Sequence, residues 1–217
     1  MRKYLLIVLG VLTLDQVVKI LVKTQMHYSE RLEVTDWFYI HFIENPGMAF
    51  GLEWGGVAGK LILSIFRLIA IAAIAIWLNR SVKANAPKLQ LWSIALILAG
   101  AIGNMIDSAF YGLIFDTGLT YNEEIGQWIA YGDVSQFSSG GYSGFLTGNV
   151  VDMLSFPLFE GTFPDWFPVW GGEHFKFFRP IFNLADSSIS IGVAMLILFS
   201  RSKKKNTEDE APVSSEA

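Results

Sequence analysis

Four stretches of the chain are apolar for about the length of a membrane-spanning helix, and each carries its ionisable positions at a few defined points. They are 4–23, 57–78, 89–107 and 181–200. A helix needs roughly 20 mostly apolar residues to cross hydrocarbon. Lipid offers no partner to an open backbone, so helices are the expected structure for all four. Asp15 and Lys19 interrupt the first and Lys60 and Arg67 the second. Asp107 closes the third, and Asp186 opens the fourth. Between these stretches the pattern changes. Residues 34–43 (VTDWFYIHFI) are β-branched and aromatic and predict a strand, which Asn45-Pro46-Gly47 ends as a turn. Residues 116–148 are rich in Gly, Ser, Thr and Tyr and predict a surface loop with room for a hairpin. Residues 156–178 carry many Phe, Trp and Pro residues and predict a segment lying in the headgroup region.

Loop cations orient the segments. Arg2, Lys3, Arg80, Lys83, Lys88, Arg201 and Lys203 to Lys205 fall on one side if both termini are cytoplasmic. The other side holds only Lys23, Arg31, Lys176 and Arg179. Excess Lys and Arg mark the cytoplasmic side, so both termini are expected inside, with 24–56 and 108–180 outside. The first segment has the basic start and apolar run of a signal peptide. The run leads into Leu14-Asp15-Gln16 with no small-residue cleavage site, so retention is expected. The tail after Lys205 is polar and acidic and is expected to be disordered.

Composition agrees with a chain mostly in lipid. Only 17% of the residues are charged and the mean hydropathy is +0.41, where soluble domains carry about 25% charged residues. The chain contains no cysteine, which excludes disulfides, thiolate nucleophiles and cysteine metal sites. No basic stripe of the nucleic-acid kind is present.

An ionisable side chain inside a bilayer costs at least ~2.5–3.5 kcal/mol at the helix centre, which makes it a structural or functional hypothesis. The orientation brings these residues to one outer layer: Asp15 and Lys19 from the first helix, Asn104 and Asp107 from the third, Asn183 and Asp186 from the fourth, and Asp152 from the preceding loop. Asp15 and Lys19 are spaced to pair on one helix face, so a structural pair and a catalytic role both fit. Asp107 fits an interfacial position as well as a site. Asn45, Asn104 and Asn183 fit interhelical bonding. Lys60 can reach outward along its stem, and Arg67 lies deeper without an obvious partner. Asp152 and Asp186 are flanked by apolar residues with no local cation.

The residue types limit the chemistry. His27, His41 and His174 are scattered without zinc spacing. No Gly-x-Ser-x-Gly elbow and no phosphate-binding glycine loop occurs. Carboxylates remain. Two held close cannot both ionise, so they share a proton. The ionised one can take a proton from water, and the neutral one can hydrogen-bond an amide carbonyl. A transporter or proton channel is the rival reading, since intramembrane Asp and Lys mark those too. Against it, the polar residues sit in one layer and form no path. A purely structural subunit is the other rival, and it would tolerate Asp152→Asn and Asp186→Asn.

At these residues the sequence resembles the lipoprotein signal peptidase family, the type II signal peptidases of bacteria. Asp15-Gln16-Val17-Val18-Lys19 is similar to its D-Q-x-x-K motif, and Asn45-Pro46-Gly47-Met48-Ala49-Phe50-Gly51 to its N-x-G-x-A-F-G motif. Gly100 to Asp107 resembles G-x-x-G-N-x-x-D. Val150-Val151-Asp152 and Phe182-Asn183-Leu184-Ala185-Asp186 resemble the motifs that bear its two catalytic aspartates. The resemblance implies an α-helical membrane protein of four transmembrane helices, with a small outer β-cradle and a long outer insertion at about 108–148. One peptidase domain would span 1–205, followed by a cytoplasmic tail at 206–217.

The resemblance further implies an aspartic endopeptidase of the bacterial cytoplasmic (inner) membrane, with its site on the outer side and no cofactor or metal. Asp152 and Asp186 would be catalytic. Asp15, Lys19, Asn45, Gly47, Ala49, Asn104, Asp107, Asn183 and Ala185 would bind substrate or support the site. The implied substrates are diacylglyceryl-modified prolipoproteins, cut before the lipidated cysteine. Membrane lipids and globomycin-type inhibitors are the other implied partners, nucleic acid is not one, and the chain is expected to be a monomer. Two features depart from the family pattern. Ser108 stands where the family commonly has arginine, and Lys176 or Arg179 is the expected replacement. Some forty residues join G-N-x-x-D to V-V-D where a short stretch is usual.

Overall fold

The computed structural model describes residues 1–47, 56–157, 159–177 and 180–209. Helix α1 (Arg2–Gln25) leads into strands β1 (Arg31–Thr35) and β2 (Phe38–Asn45). Helices α2 (Gly56–Lys83) and α3 (Lys88–Ile106) follow. α3 does not stop at its apolar end but runs on through a π-helical turn (Asp107–Tyr111) and a last turn (Gly112–Ile114). Next come β3 (Thr120–Asn122), β4 (Gln127–Ile129), β5 (Val150–Ser155), β6 (Phe159–Thr162), β7 (His174–Phe177) and β8 (Ile181–Phe182). Helix α4 (Leu184–Asp209) closes the described chain. Its last turn enters the stretch read as tail, of which 210–217 lie outside the described residues.

Among the described residues α1, α2 and 88–114 are long and apolar enough to cross a membrane. Among the described residues the apolar run of α4 covers Leu184–Leu198. The four helices form a membrane bundle with α3 at its centre. α3 packs on α1, α2 and α4, most extensively on α4. Val8, Leu78, Leu91, Ile94, Ala95, Leu98 and Ala99 fill the middle. Outward faces are apolar too: Leu6, Leu9 and Leu14 on α1, and Ile62, Phe66 and Ile69 on α2, are all more than half exposed. A helix apolar all round is at home only in protein core or in lipid, so these faces are lipid-facing.

Small residues set the α3–α4 contact. A Cβ on Gly100 would stand 2.2 Å from the Ala185 carbonyl oxygen. One on Gly103 would stand 2.8 Å from Asp15 Oδ2 and 3.1 Å from Ala185 Cβ. Ser188 Oγ donates across the same seam to the Leu96 carbonyl at 2.8 Å. Without a hydrophobic drive between helices in lipid, such close backbone approach supplies the packing.

At one end of the bundle lies an antiparallel sheet in the order β1-β2-β5-β8. The strand predicted at 34–43 is two strands, because Asp36-Trp37 turns the chain back and pairs Arg31 with His41. Its register matters for the site: Ile43 faces Asp152, and Asn45 faces Val150. Phe42, Val151 and Met153 pack with Val22, Met26, Tyr111 and Phe115 into a second core below the sheet. The segment expected as a surface loop at 116–148 is mostly exposed and is pinned to the fold at a few buried points. Leu119, Ser135 and Thr147 are buried, and Phe115 bridges to Phe137. The β3–β4 hairpin lies within it. The aromatic stretch 156–178 holds a second hairpin, β6–β7, whose connection stacks Phe163, Phe167 and Trp170 and exposes Trp166.

Candidate active site

The chemistry-bearing residues meet where the sheet end of the bundle touches β5. Lys19 is the hub. Its buried ammonium lies 3.0 Å from Asp15 Oδ2 and 2.8 Å from Asp107 Oδ2, and it donates to Asn104 Oδ1 at 3.0 Å. The i, i+4 spacing on α1 makes the first contact, and the close α1–α3 approach makes the others. Gln16 adds a second tie between the helices. Its Nε2 donates to Asp107 Oδ1 at 2.9 Å, and its Oε1 accepts from the Tyr111 hydroxyl at 3.1 Å. Asp107 Oδ2 also accepts from the Val151 amide at 3.1 Å, which docks β5 on α3.

The start of α4 is equally determined. Asn183 Oδ1 accepts from the Asp186 amide at 2.9 Å, and Asp186 Oδ2 accepts from the Asn183 amide at 3.4 Å. This reciprocal N-terminal cap is what Asn followed by Asp three residues later provides. Asp15 Oδ1 accepts the next free amide, that of Ala185, at 2.9 Å. Ala185 itself is fully buried against α3, where a larger side chain would meet Gly103.

Asp152 and Asp186 share Asn183. Its Nδ2 donates to Asp152 Oδ1 at 2.6 Å, to Asn104 Oδ1 at 3.0 Å and to the Val151 carbonyl at 3.2 Å. Asn104 Nδ2 donates to Asp186 Oδ1 at 2.7 Å. Neither aspartate is in an ion pair among the described residues. Asp152 is 3% exposed, and its carboxyl is pushed up to about 8, first by burial and then by the charge of Asp186. Two carboxylates on amide donors, coupled to each other, can hold one proton between them.

The other expected site residues fall around this centre. Asn45 lies on the same face of the sheet as Asp152, diagonal to it, and its Oδ1 accepts from the Gly47 amide at 2.9 Å. Gly47 has φ +105°, a conformation other residues avoid, and a Cβ there would stand 2.9 Å from Leu63. Ala49 lies outside the described residues.

Several participants have no local sequence signal. Ser108 receives the Arg67 guanidinium at 3.1 Å and donates to the Asn104 carbonyl at 3.1 Å. The cation at Ser108 therefore comes from α2. Lys176 instead sits in β7 opposite Glu160, and Arg179 lies outside the described residues. Lys60 does not reach outward as read from the sequence. It is 6% exposed, bonds Asn149 Oδ1 and lies over the Trp128 ring. Lys23, counted among loop cations, is fully buried in an ion pair with Glu44. Among the described residues no group of His, Asp and Glu is arranged to hold a metal ion.

Known proteins with this sequence pattern point one way. The model of the family described as signal peptidase (SPase) II matches residues 7–201. The lipoprotein signal peptidase of Porphyromonas gingivalis is 48% identical over 190 residues, covering 86% of this chain and 77% of that protein. That of Amoebophilus asiaticus is 36% identical over 204 residues, covering 92% and 78%. A bacterial membrane enzyme solved by the in meso method at 2.3 Å superposes with a TM-score of 0.57 at 25% identity, covering 100% of this chain and 96% of that one.

Proposed function

The chain belongs to the signal peptidase II family, whose activity is the cleavage of signal peptides from prolipoproteins, and from that premise we propose that Asp152 and Asp186 are the pair that cuts the bond. The protein is an aspartic peptidase of a bacterial membrane. The observation that carries the proposal is the contrast among the four aspartates at the sheet end of the bundle, of which Asp15, Asp107 and Asp152 are buried and Asp186 is half-buried. Asp15 and Asp107 are both ion-paired with Lys19, whereas Asp152 and Asp186 have amide donors and each other.

The chemistry follows from one shared proton. The ionised carboxylate takes a proton from a water molecule as the water oxygen bonds the scissile carbonyl carbon. The protonated carboxyl donates to the carbonyl oxygen, where negative charge develops. As the tetrahedral intermediate collapses, the C–N bond breaks and the leaving nitrogen receives a proton from the pair. No covalent bond to the enzyme forms. Asn104 and Asn183 orient the two carboxyls, and the Asp15–Lys19–Asp107 group fixes the helices that carry them.

The substrate is a prolipoprotein carrying diacylglycerol on its lipobox cysteine, cut just before that cysteine. Lipid-facing helices beside a polar site suit such a substrate, since its acyl chains can stay in hydrocarbon while the peptide bond reaches the aspartates. The nine basic residues at the two termini and the α2–α3 connection support cytoplasmic termini. The sheet end, with Asp152 and Asp186, then faces outward. Cyclic peptides of the globomycin type compete for this site, and one chain suffices for the reaction.

The test is cleavage by the purified protein of a prolipoprotein with and without the diacylglyceryl group, read by product mass. Cleavage of the modified form alone, directly before its cysteine, supports the reading. Equal cleavage of both forms overturns the substrate, and wild-type cleavage by Asp152→Asn or Asp186→Asn overturns the pair.

A further inference from the structure

Helix α2 is apolar on nearly every face, yet Lys60, Ser64 and Arg67 recur at i, i+4 and i+7 and form one polar stripe. Each finds a partner on the segment that follows α3 or on α3 itself. Lys60 bonds Asn149, Ser64 Oγ donates to the Leu146 carbonyl at 2.9 Å, and Arg67 Nη1 donates to Ser108 Oγ at 3.1 Å. Only Arg67 faces the aspartates. Its guanidinium is within electrostatic reach of Asp186 first, then of Asp107 and Asp152. A relay of hydrogen bonds joins them: Arg67 to Ser108, Ser108 to the Asn104 carbonyl at 3.1 Å, and Asn104 Nδ2 to Asp186 Oδ1 at 2.7 Å.

Ser108 stands in the π-helical turn that begins at Asp107, and its bond to the Asn104 carbonyl spans four residues back along the helix. Such turns inside α-helices are frequent at functional sites.

We propose that Arg67 is a positioning residue for the aspartyl pair, keeping its single negative charge on Asp186 and so leaving the shared proton on Asp152. The proposal rests on reading Asp152 and Asp186 as the catalytic pair. Asp186 would then be the base that activates water, and Asp152 the acid that donates to the scissile carbonyl.

The surroundings favour that division. Asp186 stands in the first turn of α4, where the helix N-terminus favours negative charge. It also accepts from two donors, Asn104 Nδ2 and the Asn183 amide. Asp152 is more deeply buried and accepts from Asn183 Nδ2. The other charged groups packed against the pair are Asp15 and Lys19 of α1 and Asp107 of α3. Lys19 lies between those two carboxylates. With Lys19 offsetting one of them, Arg67 offsets a second charge that an apolar helix would not otherwise carry.

The test is the pH–rate profile of cleavage for the wild type, Arg67→Lys and Arg67→Gln. Removing the cation disfavours the ionised carboxylate, so the acid limb of Arg67→Gln moves to higher pH by about one unit, a tenfold loss of rate on that side. Arg67→Lys keeps the charge and recovers most of the shift. A merely structural arginine would lower yield or the unfolding midpoint without moving the limb. An unshifted limb in Arg67→Gln overturns the proposal, as does Arg67→Lys shifted as far as Arg67→Gln. Should Arg67→Gln be too slow to profile, activity regained by Arg67→Lys supports the proposal, and equal loss in both overturns it. Wild type, Asp152→Asn and Asp186→Asn run alongside. An inactive wild type or an active aspartate variant sinks the reading of the pair. An active wild type, dead aspartate variants and an unshifted Arg67→Gln sink only the role of Arg67.

Discussion

Two buried polar clusters lie at the sheet end of this bundle, and they are built on opposite plans. In one, a single carboxylate serves many donors. Glu44 is ion-paired with Lys23 and accepts from the Tyr131 hydroxyl at 2.7 Å, Asn149 Nδ2 at 2.7 Å and the Leu119 amide at 2.8 Å. The donors come from α1, from β5's approach and from the segment after α3. In the other, Lys19 is ion-paired with Asp15 and Asp107, Arg67 bonds Ser108, and Asp152 and Asp186 are left to asparagine amide donors. A satisfied buried network rigidifies, while a group held short of full compensation is available for chemistry. The first cluster clamps the long segment onto the bundle. The second holds the pair proposed to cut the bond.

Substitutions should separate the two. Asp152→Asn or Asp186→Asn is expected to lower cleavage by about a thousandfold or more, with the unfolding midpoint in detergent close to wild type. Glu44→Ala is expected to do the reverse. It strands Lys23 in a buried site and should cost about 3–5 kcal/mol of stability, measured by thermal or denaturant unfolding, while folded enzyme keeps its chemical step. Asp15→Ala should cost less, about 1–3 kcal/mol, because Lys19 keeps Asp107 and the Ala185 amide alone loses its partner. A loss as large as that for Glu44→Ala would show that the Lys19 group is the main clamp.

Titration sharpens the same contrast. The Asp152 carboxyl is pushed up to about 8 by burial and by the Asp186 charge, so its neutral form is present below that pH and disappears above it. Cleavage by the wild type should therefore fall as pH rises through about 8, with a rate profile as the check. Smallest of all, Tyr131→Phe removes one donor to Glu44 and should cost about 1 kcal/mol with no change in that profile.

The second cluster was far more legible in the sequence than the first. Asp15, Lys19, Asn104, Asp107, Asn183 and Asp186 interrupt apolar helices, and topology alone carries them to one layer. Asp152 joins them from a motif two residues into β5. Cluster one gives no such signal. Lys23 and Glu44 stand next to polar or turn-forming neighbours and pair across 21 positions through the β1–β2 hairpin, while several of their other partners come from the loop at 116–148. That loop looked unpatterned because its buried groups, Leu119, Ser135 and Thr147, follow no period. Lys60 was misread for the same reason: reaching outward needs no partner, whereas its actual partner, Asn149, is 89 positions away. Arg67 had no local partner either, since Ser108 is 41 positions on. The strand at 34–43 split because Asp36-Trp37 turns inside an aromatic run whose composition does not change.

The most direct measurement is cleavage rate and unfolding midpoint on the same preparations of wild type, Asp186→Asn and Glu44→Ala, with a diacylglyceryl-modified prolipoprotein as substrate. Asp186→Asn should be inactive at a wild-type midpoint, and Glu44→Ala should be active below a lowered one. An active Asp186→Asn would contradict the assignment of the pair, whatever its stability.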